Sequence, residues 1–309
     1  MRVDMYHDAI RKFRPWYGFV PAGYHVGPMG NVARVERLYP GEYLDRIIEQ
    51  TRTSSFRKSQ LPRANNTAFF EFGAVFAAVI AAKNEFNMIE LGAGMGPWTA
   101  AAACACIQAD VSKRFFLAVE AEPTRFGWLQ DNLTDNGIQP HERDLRQGVV
   151  FSRLQADAKV MFPVGAPRDA GHTARVVTNN ISEGTAKRSK LHDYDEVAVY
   201  EPAKVLSLHD LLADHQGRIF DVAHIDIQGA EAGVIADTLG PMRRQVRSIV
   251  LGTHSTDIEN SVRKTLSAEG WTCVFEFPIN SSFDYENSSI STKGMDGFQH
   301  WINSALWLG

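Results

Sequence analysis

The 309-residue chain predicts an α/β fold, a mostly parallel sheet with helices on both faces. Short apolar segments alternate with amphipathic helical segments through its middle, which is the pattern of βαβ units. One strand also runs directly into Gly92-Ala93-Gly94-Met95-Gly96 and a helix at Pro97, placing a glycine loop where a doubly wound sheet meets its ligand. Composition agrees: 44% hydrophobic and 22% charged residues describe a globular chain and exclude a disordered or fibrous one.

Residues 1–65 read as an irregular N-terminal extension rich in aromatic residues and Pro/Gly turns, with one short helix from Gly41 to Arg52. The main domain is expected over 66–309. From Thr67 to Ala82, Phe69, Phe72, Phe76, Val79 and Ile80 recur at three- and four-residue steps and make one apolar helix face. The run Phe72 to Ala82 is too short to cross a membrane, which takes ~20 residues. Strand Asn87 to Leu91, a helix after Pro97, strand Phe115 to Glu120, a helix from Thr124 to Asn136 and strand Val149 to Phe151 follow. The alternation resumes with a helix at Leu208 to Asp214, strand Val222 to Ile227 and a helix from Glu231 to Leu239 stopped by Gly240-Pro241. Strand Val246 to Leu251 and a helix from Asp257 to Glu269 closed by Gly270 come next. Trp271 to Phe277 and Phe298 to Ile302 suit a terminal antiparallel hairpin. Pro163 to Glu196 is polar and without period, too long for an ordinary connection, and is expected to be a lid-like insertion.

Charge and cysteine content narrow the partners. Thirty-two Lys and Arg against 36 Asp and Glu give a net charge of −4, so no global positive field draws nucleic acid or an anionic membrane. Cys104, Cys106 and Cys273 have no metal-ligand spacing and build no disulfide framework. The first residues lack the apolar core of a signal peptide, so a cytoplasmic protein is expected.

Four strand ends carry the chemistry. Glu90, Gly92, Gly94 and Gly96 form E-x-G-x-G-x-G, and Pro97 stands where a dinucleotide fingerprint needs its third glycine. The loop, with Ala93 and Met95, resembles that of S-adenosylmethionine-dependent methyltransferases, whose cofactor has no phosphates to cradle but carries a sulfonium and an ammonium that a carboxylate offsets. A structural tight turn is the plainer reading. Glu120, followed by Ala121, ends the second strand, where an acid accepts hydrogen bonds from two ribose hydroxyls; capping of the next helix is the alternative. Asp226 ends the strand Val222 to Ile227 and would face the methyl donor or acceptor, or bond loop amides. Glu231 suits the first turn of its helix through the dipole, a role that weighs at least as much as a catalytic one. His254 closes the next strand, placed to take a proton from an acceptor hydroxyl or to sit as a satisfied structural histidine. Trp301 and Trp307 suit packing of the hairpin better than stacking on a sugar.

Taken in order, IELGAGMGPW, VEAEPTRFGWLQDNLTDNGI, VLSLHDLL, HIDIQGAEAGVIADTL and VLGTHS resemble the FkbM-type methyltransferases over roughly residues 70 to 275, in a bacterial branch. The resemblance implies a class I seven-stranded Rossmann-like sheet, adenosylmethionine as cofactor, and methyl transfer to a hydroxyl of a sugar, glycan or secondary metabolite. In its terms Glu90, Gly92, Ala93, Gly94, Met95, Gly96, Glu120 and Ala121 hold the cofactor, and His254 with Asp226 act on the acceptor. A divalent cation held by Asp226 and His254 is a weaker variant. Gln228 departs from the acid the family commonly has there. A nicotinamide oxidoreductase and a binding protein that retains the fold without catalysis are the competing readings.

Overall fold

Neighbouring residues along a strand face opposite ways, and here both sets are apolar, so helices must cover the sheet on both sides. The computed structural model describes residues 4–38, 44–62, 67–155, 159–166, 177–178, 182–191, 194–284, 289–292 and 296–306. Its main sheet has seven strands: β1 (Glu85–Leu91), β2 (Lys113–Glu120), β3 (Arg143–Gln147), β4 (Val222–Ile225), β5 (Ser248–Thr253), β6 (Trp271–Phe277) and β7 (Gly297–Asn303). The order is β6-β7-β5-β4-β1-β2-β3, with β7 antiparallel to both its neighbours and the other pairs parallel. This is the seven-stranded, mostly parallel sheet with a terminal antiparallel pair that the sequence predicts.

Helices α1 (Asp4–Arg11), α2 (Thr67–Ala81) and α3 (Pro97–Gln108) belong to the core on one face, where Tyr6, Phe70 and Phe76 meet Phe86, Met88 and Val250. Helix α4 (Pro123–Asp135) adds Leu129 and Leu133 to it. On the other face α5 (Leu208–Asp214), α6 (Glu231–Gln245) and α7 (Thr256–Ala268) cover Ile89, Leu117, Ile225 and Leu251. Trp301 is wholly buried there and donates Nε1–H to Gln299 Oε1 at 3.0 Å, so it packs the hairpin. Trp307 lies outside the described residues.

Several elements differ from the sequence reading. The third strand is Arg143–Gln147, while Val149–Val150 leaves the main sheet to pair with Val205–Leu206. Helix α6 runs through Gly240-Pro241, because buried Met242 and Val246 extend its apolar side beyond the proline. The N-terminal segment contains a helix, α1, whose Tyr6 is fully buried with its hydroxyl 2.9 Å from His300 Nδ1. Burial pushes His300 down to about 3, so its ring is neutral and shares one hydrogen bond with the tyrosine hydroxyl. Further along, Arg34 grips Asp135 at 2.8 Å and Asn136 accepts from Val32 N at 2.7 Å, tying Tyr24–Val26 and Val32–Arg34 to the end of α4. The polar insertion also has regular structure among its described residues: Val160–Val164, Val177–Thr178, Ala186–Leu191 and Tyr194–Pro202 form a four-stranded antiparallel sheet. Residues 167–176, 179–181 and 192–193 of the expected lid lie outside the described set. No helix among the described residues is long and apolar enough to cross a membrane.

Candidate active site

The carboxyl ends of β1, β2 and β4 open on a cavity of about 490 Å³. Its wall takes Gly92–Met95 from the loop after β1, Glu120 and Ala121 from the end of β2, and Asp226 and Gln228 from the loop after β4. The tight turn after β1 is built by glycine. Gly92 has φ of +77°, and a Cβ there would overlap the carbonyl oxygen of Asp226, so the β1 and β4 loops touch backbone to backbone. Asp226 N–H in turn donates to Leu91 O at 3.0 Å.

Glu120 is 4% exposed and braces this turn: Oε2 accepts from Gly94 N at 2.7 Å and Oε1 from Glu122 N at 2.8 Å. Burial raises its pKa, against the pull of the nearby Arg125 charge and these amides. Capping of α4 falls to Glu122, which accepts from Arg125 N at 2.7 Å. Glu120 is thereby left turned toward the loop and cavity.

Glu90 and Gly96, expected at the cofactor, do not line the cavity. Glu90 is 1% exposed; its Oε2 accepts from Thr99 N at 2.9 Å and from the Thr99 hydroxyl, holding the first turn of α3 against β1. This corrects the expectation that its carboxylate meets the cofactor's positive charge directly. Gly96, at φ of +75°, is where α3 starts. Burial lifts Glu90 to about 8, well above its unfolded value near 4.5. Between those values the native state holds a proton that the unfolded chain has released, so this group lowers stability progressively as pH rises from about 4.5 to 8. Glu90→Gln keeps an acceptor for Thr99 and removes the ionisation. Its melting temperature relative to the parent protein should therefore rise between pH 5 and pH 8 in thermal melts, and a difference that stays flat with pH refutes the assignment.

His254 and Asp226 are brought together at the ends of β5 and β4, with Glu231 behind them. Fully buried Glu231 accepts from His254 Nδ1 at 2.8 Å, Ile227 N at 3.2 Å and Gly229 N at 3.0 Å. It is a structural acid that fixes both loop and ring, more than the helix-dipole role expected for it. Nε2 of His254 lies 3.3 Å from Asp226 Oδ1 and 3.7 Å from Asp296 Oδ1. Burial opposes charge on this ring, yet the surrounding Asp226 and Glu231 carboxylates outweigh it and raise His254 to about 10. His254 itself does not line the cavity, while Asp226, 37% exposed, and Asp296 do. Gln228, at φ of +53°, donates Nε2–H to Asp226 Oδ1 at 3.0 Å and holds it there.

Several lining residues were missed in the sequence. Trp98 and Arg125 come from the first turns of α3 and α4, and Phe162 from Val160–Val164 in the insertion. Asp296 is set by strand register, because Gly297 pairs with Thr253 and so brings the preceding residue beside His254. Close by, burial and the charges of Asp226, Asp296 and Glu90 push Glu71 of α2 up to about 8. Acidic side chains are thus gathered at this side of the cavity.

Residues 81–270 match the profile of the Methyltransferase FkbM domain family. A curated relative from Jannaschia sp. (strain CCS1), itself named only provisionally as a methyltransferase, is 27% identical over 208 residues, covering 67% of this chain and 70% of that protein. Among solved structures, the precorrin-6y C5,15-methyltransferase of Geobacter metallireducens GS-15 is 12% identical at a TM-score of 0.41, covering 75% of this chain and 86% of the other. The O-methyltransferase of Bacillus cereus in complex with SAH is 11% identical at a TM-score of 0.41, covering 78% and 83%.

Proposed function

The chain belongs to the FkbM methyltransferase domain family, and from that premise we propose that it transfers a methyl group from S-adenosylmethionine to a hydroxyl of a sugar, glycan or secondary metabolite. The observation that carries this reading is the cavity itself, with the glycine turn and Glu120 at one side and an acidic wall of Asp226 and Asp296 at the other. Gly92, Ala93, Gly94, Met95 and Ala121 supply backbone at the cofactor side, and Glu120 the acceptor for the ribose hydroxyls. Glu90 and Gly96 support the loop from behind.

Methyl transfer is an in-line displacement, so much of the rate comes from aligning the acceptor oxygen with the sulfonium carbon. Asp226 is the group we assign to the acceptor: its carboxylate receives the hydroxyl's hydrogen bond and orients the oxygen, while Gln228 holds that carboxylate by a hydrogen bond and His254 lies beside it. The insertion containing Phe162 is read as a lid that screens the site from water. Pro97 at the start of α3 and the family membership both weigh against the nicotinamide reading.

Titration calorimetry with adenosylmethionine, its demethylated product and NAD tests the cofactor, and binding of NAD alone would overturn the proposal. Asp226→Asn should keep adenosylmethionine affinity within a few-fold while turnover falls on the order of 100-fold. Unchanged turnover removes Asp226 from the mechanism.

A further inference from the structure

His254 is more than nine-tenths buried, and its Nε2 makes no hydrogen bond despite lying 3.3 Å from one carboxylate and 3.7 Å from another. The opposite nitrogen, Nδ1, is committed to Glu231 at 2.8 Å, and Glu231 is itself pinned by the Ile227 and Gly229 amides. A carboxylate that fixes one imidazole nitrogen and aims the other is the arrangement that surrounds metal-bound histidines. Ligand atoms of Asp226, Glu231 and His254 lie within 4.8 Å of one another.

We propose that His254 Nε2 and Asp226 Oδ1 are two fixed ligands of a divalent cation at the edge of the cavity, with Glu231 as the buried orienting partner and Asp296 as the third ligand. The spacing suits this: two donors each ~2.1 Å from one ion lie ~3.0–3.4 Å apart in octahedral or tetrahedral geometry, and the Nε2 to Oδ1 separation is 3.3 Å. Asp296 is half exposed and its Oδ1 lies 3.7 Å from Nε2, close enough to face the same ion. Its backbone is held where it is needed, since Gly297 is packed so tightly against Thr253 and Glu259 that a Cβ would overlap both. Gln228 donates to the same Asp226 oxygen, restraining that ligand without adding charge. One imidazole and two carboxylates, with positions left open toward the cavity, suit a borderline ion such as Mn²⁺.

The inference deepens the proposed reaction and rests on that reading for its purpose, though not for its existence: a cation there would polarise an acceptor hydroxyl and lower its pKa. Its test is therefore independent of turnover. After EDTA treatment and desalting, Mn²⁺ is titrated into the full-length protein without adenosylmethionine, and bound ion is read by loss of the free Mn²⁺ electron paramagnetic resonance signal. One ion per chain is expected, with at least tenfold weaker binding in Asp226→Asn. Asp296→Asn, on a half-exposed side chain, should also weaken it. Absence of a stoichiometric ion overturns the site, as does Mn²⁺ binding that both variants leave unchanged. In either case the ring and carboxylates form only an ion-paired cluster, and adenosylmethionine binding, measured separately, still decides the proposed function.

Discussion

Replacing Glu120 by alanine should weaken adenosylmethionine binding by tenfold at least and by about 100-fold if both ribose hydroxyls bond the carboxylate. The magnitude follows from counting what is lost. A hydrogen bond to a charged acceptor contributes roughly 1.5–3 kcal/mol, and each ~1.4 kcal/mol is a factor of ten in affinity. Glu120 also accepts from Gly94 N and Glu122 N, so the alanine leaves two loop amides without their partner and loosens the turn that the cofactor must enter. Glu120→Gln separates the two effects, because an amide oxygen still braces one backbone N–H but no longer offers two charged acceptors. The affinity order parent, Gln, Ala in titration calorimetry, with folding checked by circular dichroism, supports the assignment. A folded Glu120→Ala protein with undiminished affinity would refute it.

What the sequence discloses about this molecule depends on how local the determining physics is. The turn after β1 is legible because strand, glycines and helix start are contiguous, and Leu208–Asp214 is read to the residue because Ser207 caps it and three leucines bury one side. The third strand is misread for a physical reason: Arg143–Gln147 is an edge strand of polar residues, while the apolar Val149–Val150 makes a separate two-stranded pairing. Alternation in Glu196–Glu201 marks a strand that the surrounding polar residues conceal. Asp296 depends on the antiparallel register of β5 with β7, which nothing in either segment announces. Glu231 is read as a helix-dipole acid since its hold on His254 spans two strand-helix units. Glu90 shows the opposite error. Its motif is recognised correctly, but one carboxylate oxygen is engaged by Thr99, and only the three-dimensional packing distinguishes bracing a loop from touching a ligand.

Gly92→Ala should be the most damaging single-methyl substitution at this site, through two separable costs. The left-handed conformation at φ of +77° costs a residue with a Cβ ~1–2 kcal/mol. Overlap of that Cβ with the Asp226 carbonyl then forces the β1 and β4 loops apart, straining the Asp226 N–H bond to Leu91 O and adding a core-type overpacking cost of ~1–3 kcal/mol. Together, at ~2–4 °C per kcal/mol for a domain of this size class, the melting temperature should fall on the order of 10 °C. Gly137→Ala supplies the internal comparison, because Gly137 has φ of +73° but nothing within 4 Å of its would-be Cβ, so it bears the conformational cost alone. The difference between the two variants in a thermal melt therefore measures the contact between the β1 and β4 loops. The folded fraction of Gly92→Ala should also lose adenosylmethionine affinity, since the displaced loop carries the Gly94 amide that Glu120 holds, whereas Gly137→Ala should bind normally. If the two proteins melt within about 2 °C of each other, the backbone approach of Gly92 to Asp226 is not what demands glycine there, and the joint architecture of the cofactor loop and the acceptor-side aspartate loses its structural basis.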